Sequence, residues 1–354
     1  MFSYYNWYSF ERSCFVMDYK EVLEKARPEL GKCKGCPVCN GKACGNLVPG
    51  PGAKGSGTVS VRNYDKWREI LLNMDTICPG GERDTSIELF GKKFALPVFA
   101  GPVGLVQVHY APKYDDVSYY EVLVKSCAEA GIAAFTGDGV VASVMENGTR
   151  IIKDNGGIGV PTMKPWGIDV IKGKLDLIRK CGCFAMAMDI DGAGLPFLKG
   201  QTPPAGSKSL EELKEIIDLA GVPFIVKGIM TVKGALKAKE AGAQGIVVSN
   251  HGGRVLDGVP STAEVLEEIA GAVKGEMKIF VDGGIRSGLD VFRALALGAD
   301  AVIICRPFVN ACFGADAEGI KIYVDKIAAE LKDTMEMCGA RSLAEITKDM
   351  VRKA

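Results

Sequence analysis

The sequence predicts an α/β protein, a (β/α)8 TIM barrel with an N-terminal Cys-rich segment. Its 354 residues suit one large barrel with an appendage. Beyond residue 90, short β-branched apolar runs alternate with longer amphipathic stretches, which is typical of βα units around a parallel sheet. Eight such units follow one another at intervals of roughly 20–35 residues without a long crossover, and such a series closes into a barrel.

The predicted elements follow this alternation along the chain. The strands are predicted at residues 96–100, 132–135, 158–163, 184–189, 223–227, 245–249, 278–282 and 301–305. The helices are predicted near residues 116–130, 140–154, 167–181, 209–220, 231–241, 262–274 and 288–297, with a long last helix from about 315 to 338. Active-site residues of such barrels lie at the C-terminal ends of the strands, so the residues that follow each predicted strand are the candidate site residues.

Residues 1–90 lack this rhythm and are predicted to form an extension with a helix and the Cys-rich segment, and residues 91–354 the barrel. The helix is expected to begin after Met17, with Asp18 as its cap. For residues 1–16 two interpretations stay open, a disordered lead and a start assigned too far upstream. Residues 49–57, rich in Gly and Pro, are predicted as a linker.

Composition excludes several classes of partner. Lys plus Arg and Asp plus Glu both number 43, which gives no reason to expect nucleic acid or an anionic membrane. No apolar run reaches the length of a membrane span, and the N-terminus lacks the pattern of a signal peptide. We therefore expect a cytoplasmic protein without a membrane span.

The 12 cysteines fall into two groups. Several occur in apolar runs and are expected to be reduced core thiols. Cys33, Cys36, Cys39 and Cys44 instead follow a C-x₂-C-x₂-C-x₄-C pattern, which resembles the thiolate runs that hold iron–sulfur clusters and could also bind zinc. An iron–sulfur cluster, zinc, and metal-free reduced or regulatory thiols stay open for this segment.

Two histidines occur in the chain. His251 follows the sixth predicted strand, next to two glycines that allow a ligand to approach, and is predicted to be a general base. His109, after the first strand, is expected to line a cavity or the surface.

Gly-rich turns with an Arg follow the last two strands, where barrels commonly bind a phosphate. The residues of this predicted phosphate pocket are Asp282, Gly283, Gly284, Ile285, Arg286, Cys305 and Arg306.

Lys227 and Asp189 end the fifth and fourth predicted strands. A buried Lys227 could stabilise negative charge on a cofactor or form a Schiff base, and the sequence permits both. Asp189 is placed to orient the base as a carboxylate partner, and Asp191 is the competing choice.

The motifs VVSNHGGRVLDGVPST, VDGGIRSGLDVFRALALGADAV and VKGI closely resemble the FMN-dependent α-hydroxy-acid oxidising family, which includes lactate and glycolate oxidases. The likeness is specific over residues 227–307 and looser back to about residue 96. It implies FMN as cofactor, oxidation of a small L-2-hydroxy acid such as lactate to the 2-oxo acid, and a homo-oligomer.

The resemblance also implies residue roles. His251 would accept the substrate hydroxyl proton while the α-hydrogen leaves as hydride to flavin N5. Arg254 would bind the substrate carboxylate, Lys227 would lie near flavin N1 and the C2 carbonyl, and Asp189 would partner the His. The implied FMN contacts are Pro102, Val103, Gly104, Thr136, Lys227, Ser249, Asp282, Gly283, Gly284, Ile285, Arg286, Cys305 and Arg306.

The chain departs from the family on the substrate side. The family's N-terminal Tyr-bearing segment has no counterpart here, and the Cys-rich stretch takes its place. The usual Gln is replaced within GVPTMKPW, where Thr162 or Lys164 is expected to reach the flavin. Substrate identity and electron acceptor therefore stay open, with two alternative functions: an FMN-dependent isomerase resembling type 2 isopentenyl-diphosphate isomerase, and a flavin-binding redox sensor.

Overall fold

The computed structural model describes residues 17–198, 200–202 and 204–354. Residues 1–16, for which two interpretations were open, lie outside the described residues. The strands are β1 (Ile70–Leu72), β2 (Ile87–Leu89), β3 (Lys92–Phe94), β4 (Val98–Ala100), β5 (Ala133–Thr136), β6 (Gly159–Met163), β7 (Met186–Asp189), β8 (Phe224–Ile229), β9 (Gly245–Val248), β10 (Lys278–Val281), β11 (Ala301–Ile304) and β12 (Val351–Lys353). The helices are α1 (Tyr19–Ala26), α2 (Thr58–Arg68), α3 (Val106–His109), α4 (Asp116–Glu129), α5 (Ala142–Asp154), α6 (Ile168–Cys181), α7 (Leu210–Ala220), α8 (Val232–Glu240), α9 (Thr262–Val273), α10 (Gly288–Ala296) and α11 (Arg306–Cys338).

Strands β4 to β11 form a closed, parallel, eight-stranded barrel in chain order. Each is followed by one of the helices α4 to α11, so the predicted (β/α)8 barrel is confirmed. The barrel interior is filled by aromatic side chains in edge contacts, such as Phe99 against Phe135 and Phe280. Since the interior is packed, a ligand site has to lie at an end of the barrel.

Local sequence signals begin and end the helices. Asp115 and Ser209 cap α4 and α7 in capping boxes, in which side chain and backbone satisfy each other's hydrogen bonds. Gly221 ends α7 in the left-handed conformation that suits glycine. The helix ends are therefore set mainly by residues next to them in the chain.

Several element ends differ from the sequence prediction by one or two residues, and two differences bear on the site. Strand β8 continues past Lys227 to Ile229, with a shift of register at Gly228, whose φ is +107°. A Cβ at Gly228 would lie 2.6 Å from the Asp191 side chain, so the glycine allows β8 to approach that carboxylate. The last helix begins at Arg306 rather than near residue 315, because Pro307 favours a helix start, and it is interrupted at Ala315 and Asp316.

The N-terminal extension packs closely on the barrel. Helix α1 lies against α11, where a Cβ at Gly314 would be 2.2 Å from the Val22 carbonyl oxygen. Strand β1 pairs antiparallel with β12 at the other end of the chain. The β2–β3 hairpin spans residue 90, where the sequence placed the boundary, and its Phe94 packs into the barrel interior.

Residues 30–57, here called the cap segment, lie over the C-terminal mouth of the barrel. The Lys54 N–H donates to the Gly253 carbonyl at 2.8 Å, and Ser56 is hydrogen-bonded to Asp257. The stretch predicted as a linker thus contacts the loop after β9. Within the described ranges, no helix combines the length and the hydropathy needed to cross a membrane.

Candidate active site

An open cavity of about 1270 Å³, part of which is its solvent-filled mouth, lies between the C-terminal strand ends and the cap segment. Most of the predicted site residues line it: Pro102, Val103, Gly104, Lys227, His251, Arg254, Asp282, Gly283, Gly284, Arg286, Cys305 and Arg306. His109 also lines the cavity, and a cavity wall was one of the two places predicted for it, the other being the surface. The cavity therefore gathers residues from the first strand end to the last.

His251 begins the turn after β9, with a φ of +54° that non-glycine residues rarely adopt. Its Nδ1 lies 3.0 Å from Asp191 Oδ1, and its Nε2 lies 3.9 Å from Asp189 Oδ2. The Nδ1–H therefore donates to Asp191, and the Nε2 lone pair is left as the proton acceptor.

The distances favour Asp191 over Asp189 as the carboxylate partner of His251. Asp189, which the resemblance implied as the partner of His251, instead forms an ion pair with Lys164 at 2.5 Å. Asp191 makes the direct hydrogen bond to the imidazole. The 3₁₀ turn at Ile190–Gly194 turns the chain directly after β7 and brings Asp191 to the ring.

The protonation states in this cluster follow from burial and charge. Burial, followed by the nearby Lys227 ammonium, lowers the pKa of His251, although Asp191 opposes both. Burial would raise the pKa of Asp191, but His251 and Lys227 hold it below its usual value. His251 is consequently neutral and Asp191 ionised at neutral pH, as a general base and its partner require.

Lys227 is buried and paired in register with Asp189 of the neighbouring strand. Its Nζ donates to Ser249 Oγ at 3.2 Å and lies 3.6 Å from Asp282 Oδ2. Burial disfavours its charge, but Asp191, Asp282 and Asp189 together raise its pKa above the usual value. A charged Lys227 favours the electrostatic role over Schiff-base chemistry, which needs a neutral amine.

Arg254 lines the same cavity. Its Nη1 donates to the carbonyl oxygens of Gly50 and Gly52 at 2.7 and 2.8 Å. Within the part of the chain that the structure describes, Arg254 forms no ion pair with a carboxylate. A partly buried guanidinium held by neutral carbonyls is available to bind an anionic ligand.

The predicted phosphate pocket contains two arginines over a Gly-rich turn. Gly283 and Gly284 have φ values of +87° and +83°, and a Cβ at Gly284 would lie within 1.9 Å of the Asn63 carbonyl. Arg286 Nε donates to the Cys39 carbonyl at 2.8 Å, and Arg306 Nη1 donates to the Pro51 carbonyl at 3.4 Å. The Gly-rich turn and the two arginines thus line the same cavity, where backbone N–H and guanidinium groups suit an anion.

Whether the cavity residues fit FMN can be judged from buried polar atoms that lack a hydrogen-bond partner among the described residues. Arg286 Nη2 and Asp282 Oδ1 have no hydrogen-bond partner among the described residues, although both side chains line the cavity. A free guanidinium N–H suits a phosphate oxygen, and a free carboxylate oxygen suits a ribityl hydroxyl. Because such orphaned groups are costly when left unpaired, the residues present fit the cofactor.

Some predicted contacts lie outside the cavity wall. Ser249 is buried and acts through Lys227, while Ile285 lies in the hydrophobic core and its carbonyl accepts from Arg286. Thr136 and Thr162 are buried, and their hydroxyls have no described partner.

Sequence reasoning missed several wall residues. Asp138, just after β5, accepts from Trp166 Nε1 and Lys174 Nζ at 2.6 Å each and so fixes the loop after β6. Because Asp138 follows the end of β5, the rule that site residues follow strand ends could have identified it. The apolar wall of Leu195, Phe197 and Leu198 had no such signal.

Two thiols of the Cys-rich segment, those of Cys39 and Cys44, lie close to the arginines of the phosphate pocket. Cys44 Sγ is 3.9 Å from Arg306 Nη1, and Arg286 and Arg306 hold the pKa of the Cys39 thiol below its usual value against the effect of burial. In the described ranges, Asp189, Asp191 and His251 form the one metal-ligand group of three whose atoms lie within 4.8 Å. The structure thus does not bring three of these thiols together, and a cluster or zinc site stays a prediction.

The comparison with protein families identifies the class of protein. The model of the FMN-dependent dehydrogenase family matches residues 51–196 and 196–353. The chain therefore belongs to the FMN-dependent dehydrogenase family, as its motifs predicted, and FMN is its cofactor.

Individual relatives agree with this assignment. The chain is 33% identical over 351 residues to an L-lactate dehydrogenase of Ectopseudomonas mendocina, covering 83% of this chain and 89% of that protein. It is 47% identical over 145 residues to a peroxisomal (S)-2-hydroxyacid oxidase of Arabidopsis thaliana, covering 41% of this chain and 39% of that protein. Among solved structures, a mandelate oxidase variant with (S)-mandelic acid superposes with a TM-score of 0.77 at 26% identity, covering 96% of this chain and 98% of that one.

Proposed function

We propose that this protein oxidises a small L-2-hydroxy acid to the 2-oxo acid, with FMN as the oxidant and His251 as the base. The observation that carries the proposal is the placement on one cavity of His251, which is hydrogen-bonded to Asp191, and Arg254, which pairs with no carboxylate of the described residues. One group accepts a proton, and the other binds an anion. A 2-hydroxy acid presents a hydroxyl and a carboxylate on adjacent carbons, which matches that pair of groups.

The chain's own residues bind and deprotonate the substrate. Arg254 binds the carboxylate through a charge-assisted hydrogen bond. Neutral His251 accepts the hydroxyl proton at Nε2, and the imidazolium that forms lies between Asp191 and Asp189. When bound, FMN would supply the two-electron acceptor for the α-hydrogen, which leaves with its electron pair as the hydroxyl carbon becomes a carbonyl. Lys227, held charged by three carboxylates, stabilises negative charge that develops beside it.

The relatives support the same substrate class. They include an L-lactate dehydrogenase and a (S)-2-hydroxyacid oxidase, whose names specify acids of the L or S series. Lactate is therefore the first substrate to test. A homo-oligomer and a cytoplasmic location remain parts of the proposal, supported by the family resemblance and by the composition, and light scattering with cell fractionation tests them.

An anaerobic absorbance titration tests the function. The FMN-loaded protein is mixed with L-lactate and then with a panel of larger L-2-hydroxy acids. The proposal expects loss of the oxidised flavin band and formation of one 2-oxo acid per flavin. A flavin band that no 2-hydroxy acid reduces would contradict the proposal, and turnover of an isoprenoid diphosphate would assign the protein to the isomerase alternative.

A further inference from the structure

His109 ends the short helix after β4 and lies on the cavity wall beside Arg254. The residue is 7% exposed, and its ring packs edge-on against Phe197 with the centroids 5.2 Å apart. Arg254 Nη2 lies 3.3 Å from His109 Nε2 and 3.5 Å from His109 Nδ1. The imidazole and the guanidinium are therefore adjacent at the place where a ligand of Arg254 would bind.

The hydrogen bonds of His109 determine which nitrogen carries its proton. The Gly50 N–H donates to His109 Nδ1 at 3.1 Å, so Nδ1 is the acceptor and Nε2 carries the hydrogen. Arg254 Nη2 is also a donor, and it faces that Nε2–H across 3.3 Å. Two donors this close cannot satisfy each other, whereas a single acceptor in front of both would satisfy them.

A neutral imidazole is the state that this environment favours. Burial, together with the positive charges of Arg254 and Lys32, lowers the pKa of His109 to about 3. His109 therefore acts near neutral pH as a hydrogen-bond donor without a charge of its own. The charge for an anionic ligand comes from Arg254.

The two donors are held by the same residue of the cap segment. Gly50 donates its N–H to His109 Nδ1 and accepts at its carbonyl from Arg254 Nη1. Among the described residues, no oxygen acceptor faces His109 Nε2–H or Arg254 Nη2–H, so the two groups form a preformed pair of donors. A carboxylate has two oxygens with lone pairs and can accept from both at once.

From this arrangement we infer that His109 is a second binding residue for the substrate carboxylate, donating from Nε2 beside Arg254. The inference rests on the proposed function and names a further residue of the same site. The chemical class of the ligand is a carboxylate on a small organic acid. His109 thereby favours acids over neutral analogues of the same shape, such as 2-hydroxy amides.

A matched pair of variants tests this role. His109→Phe keeps a ring against Phe197 but removes the Nε2–H, and His109→Gln keeps an N–H donor. With the best 2-hydroxy acid of the panel, His109→Phe should raise KM, and Kd for the corresponding 2-oxo acid measured by calorimetry, by roughly tenfold to a hundredfold, as expected for a hydrogen bond to a charged group. His109→Gln should recover most of this loss, and FMN content should be unchanged in both variants.

A neutral analogue separates binding from packing. The ratio of kcat/KM for the acid to kcat/KM for the matching 2-hydroxy amide should fall in His109→Phe and not in His109→Gln. An unchanged KM, Kd and ratio in His109→Phe would overturn the inference, and so would equal losses in both variants. The proposed function fails separately, when the wild-type protein oxidises no 2-hydroxy acid; in that case the calorimetric Kd of the 2-oxo acid still decides the role of His109.

Discussion

Two regions of the molecule build the mouth of the barrel in different ways. The C-terminal ends of the strands and the loops after them supply the ionisable side chains, such as Lys227, His251 and Arg286. The cap segment contributes mainly main-chain groups, including the Gly50 and Gly52 carbonyls that hold Arg254. Chemistry is thus assigned to one region and positioning to the other. The comparison teaches that a region can shape an active site through its main-chain groups, which leave no residue motif of their own.

The largest expected effect concerns the strand-end loops. His251→Asn removes the base, so the anaerobic rate of flavin reduction by substrate should fall by roughly 10²- to 10⁴-fold. Stopped-flow absorbance measures this rate, and bound FMN should be unchanged because His251 makes no predicted phosphate contact. A rate equal to that of the wild type would remove His251 from the mechanism.

Cofactor retention is the next largest effect. Arg286→Gln removes the guanidinium whose Nη2 has no described partner, so Kd for FMN should rise by roughly tenfold to a hundredfold. Fluorescence titration of the apoprotein measures this constant. Arg62→Gln is the matched control, since that arginine pairs with Glu264 at the surface. If both variants hold FMN as the wild type does, the phosphate pocket is misplaced.

A smaller effect separates Asp191 from Asp189. Asp191→Asn removes a charge that raises the pKa of His251, so the acidic limb of kcat/KM should move to lower pH. The rate at the plateau should also fall, by about tenfold, because the imidazolium loses its hydrogen-bonded carboxylate. Asp189→Asn is the control. A shift of the limb in Asp189→Asn alone would restore Asp189 as the partner of the base.

The smallest effect tests the cap segment. A Cβ at Gly52 would lie 2.5 Å from the Leu47 nitrogen and 2.6 Å from the Gly45 carbonyl oxygen. Gly52→Ala should therefore cost about 1–3 kcal/mol of unfolding free energy and raise KM several-fold by displacing Arg254. Gly80→Ala, where nothing lies within 4 Å, is the control for denaturation and kinetics. Equal KM values in both variants would show that the cap segment does not position Arg254.

The sequence predicted the barrel well because its signals are local. Apolar runs and the rule that chemistry follows strand ends predicted that His251, Asp282 and Arg286 lie at the mouth of the barrel, and the family resemblance added Arg254; all four line one cavity. Neighbouring parallel strands fix these positions through their register, as the pairing of Asp189 with Lys227 illustrates.

The features that the sequence did not predict depend on tertiary contacts. Asp191 rather than Asp189 reaches His251 because of a turn after β7 and a bulge at Gly228, neither of which has a periodic signal. The placement of Gly50 against Arg254 joins residues 204 positions apart. Patterns read along the chain cannot report such contacts, because they depend on how separate elements pack.

The most direct test of the central claim is the pH dependence of flavin reduction at low substrate concentration. We predict a second-order rate constant that falls at acid pH, with an apparent pKa below the usual 6.5 of histidine because burial and Lys227 lower it, and a limb that is lost in His251→Asn. The same acidic limb in wild type and in His251→Asn would contradict the assignment of His251 as the base.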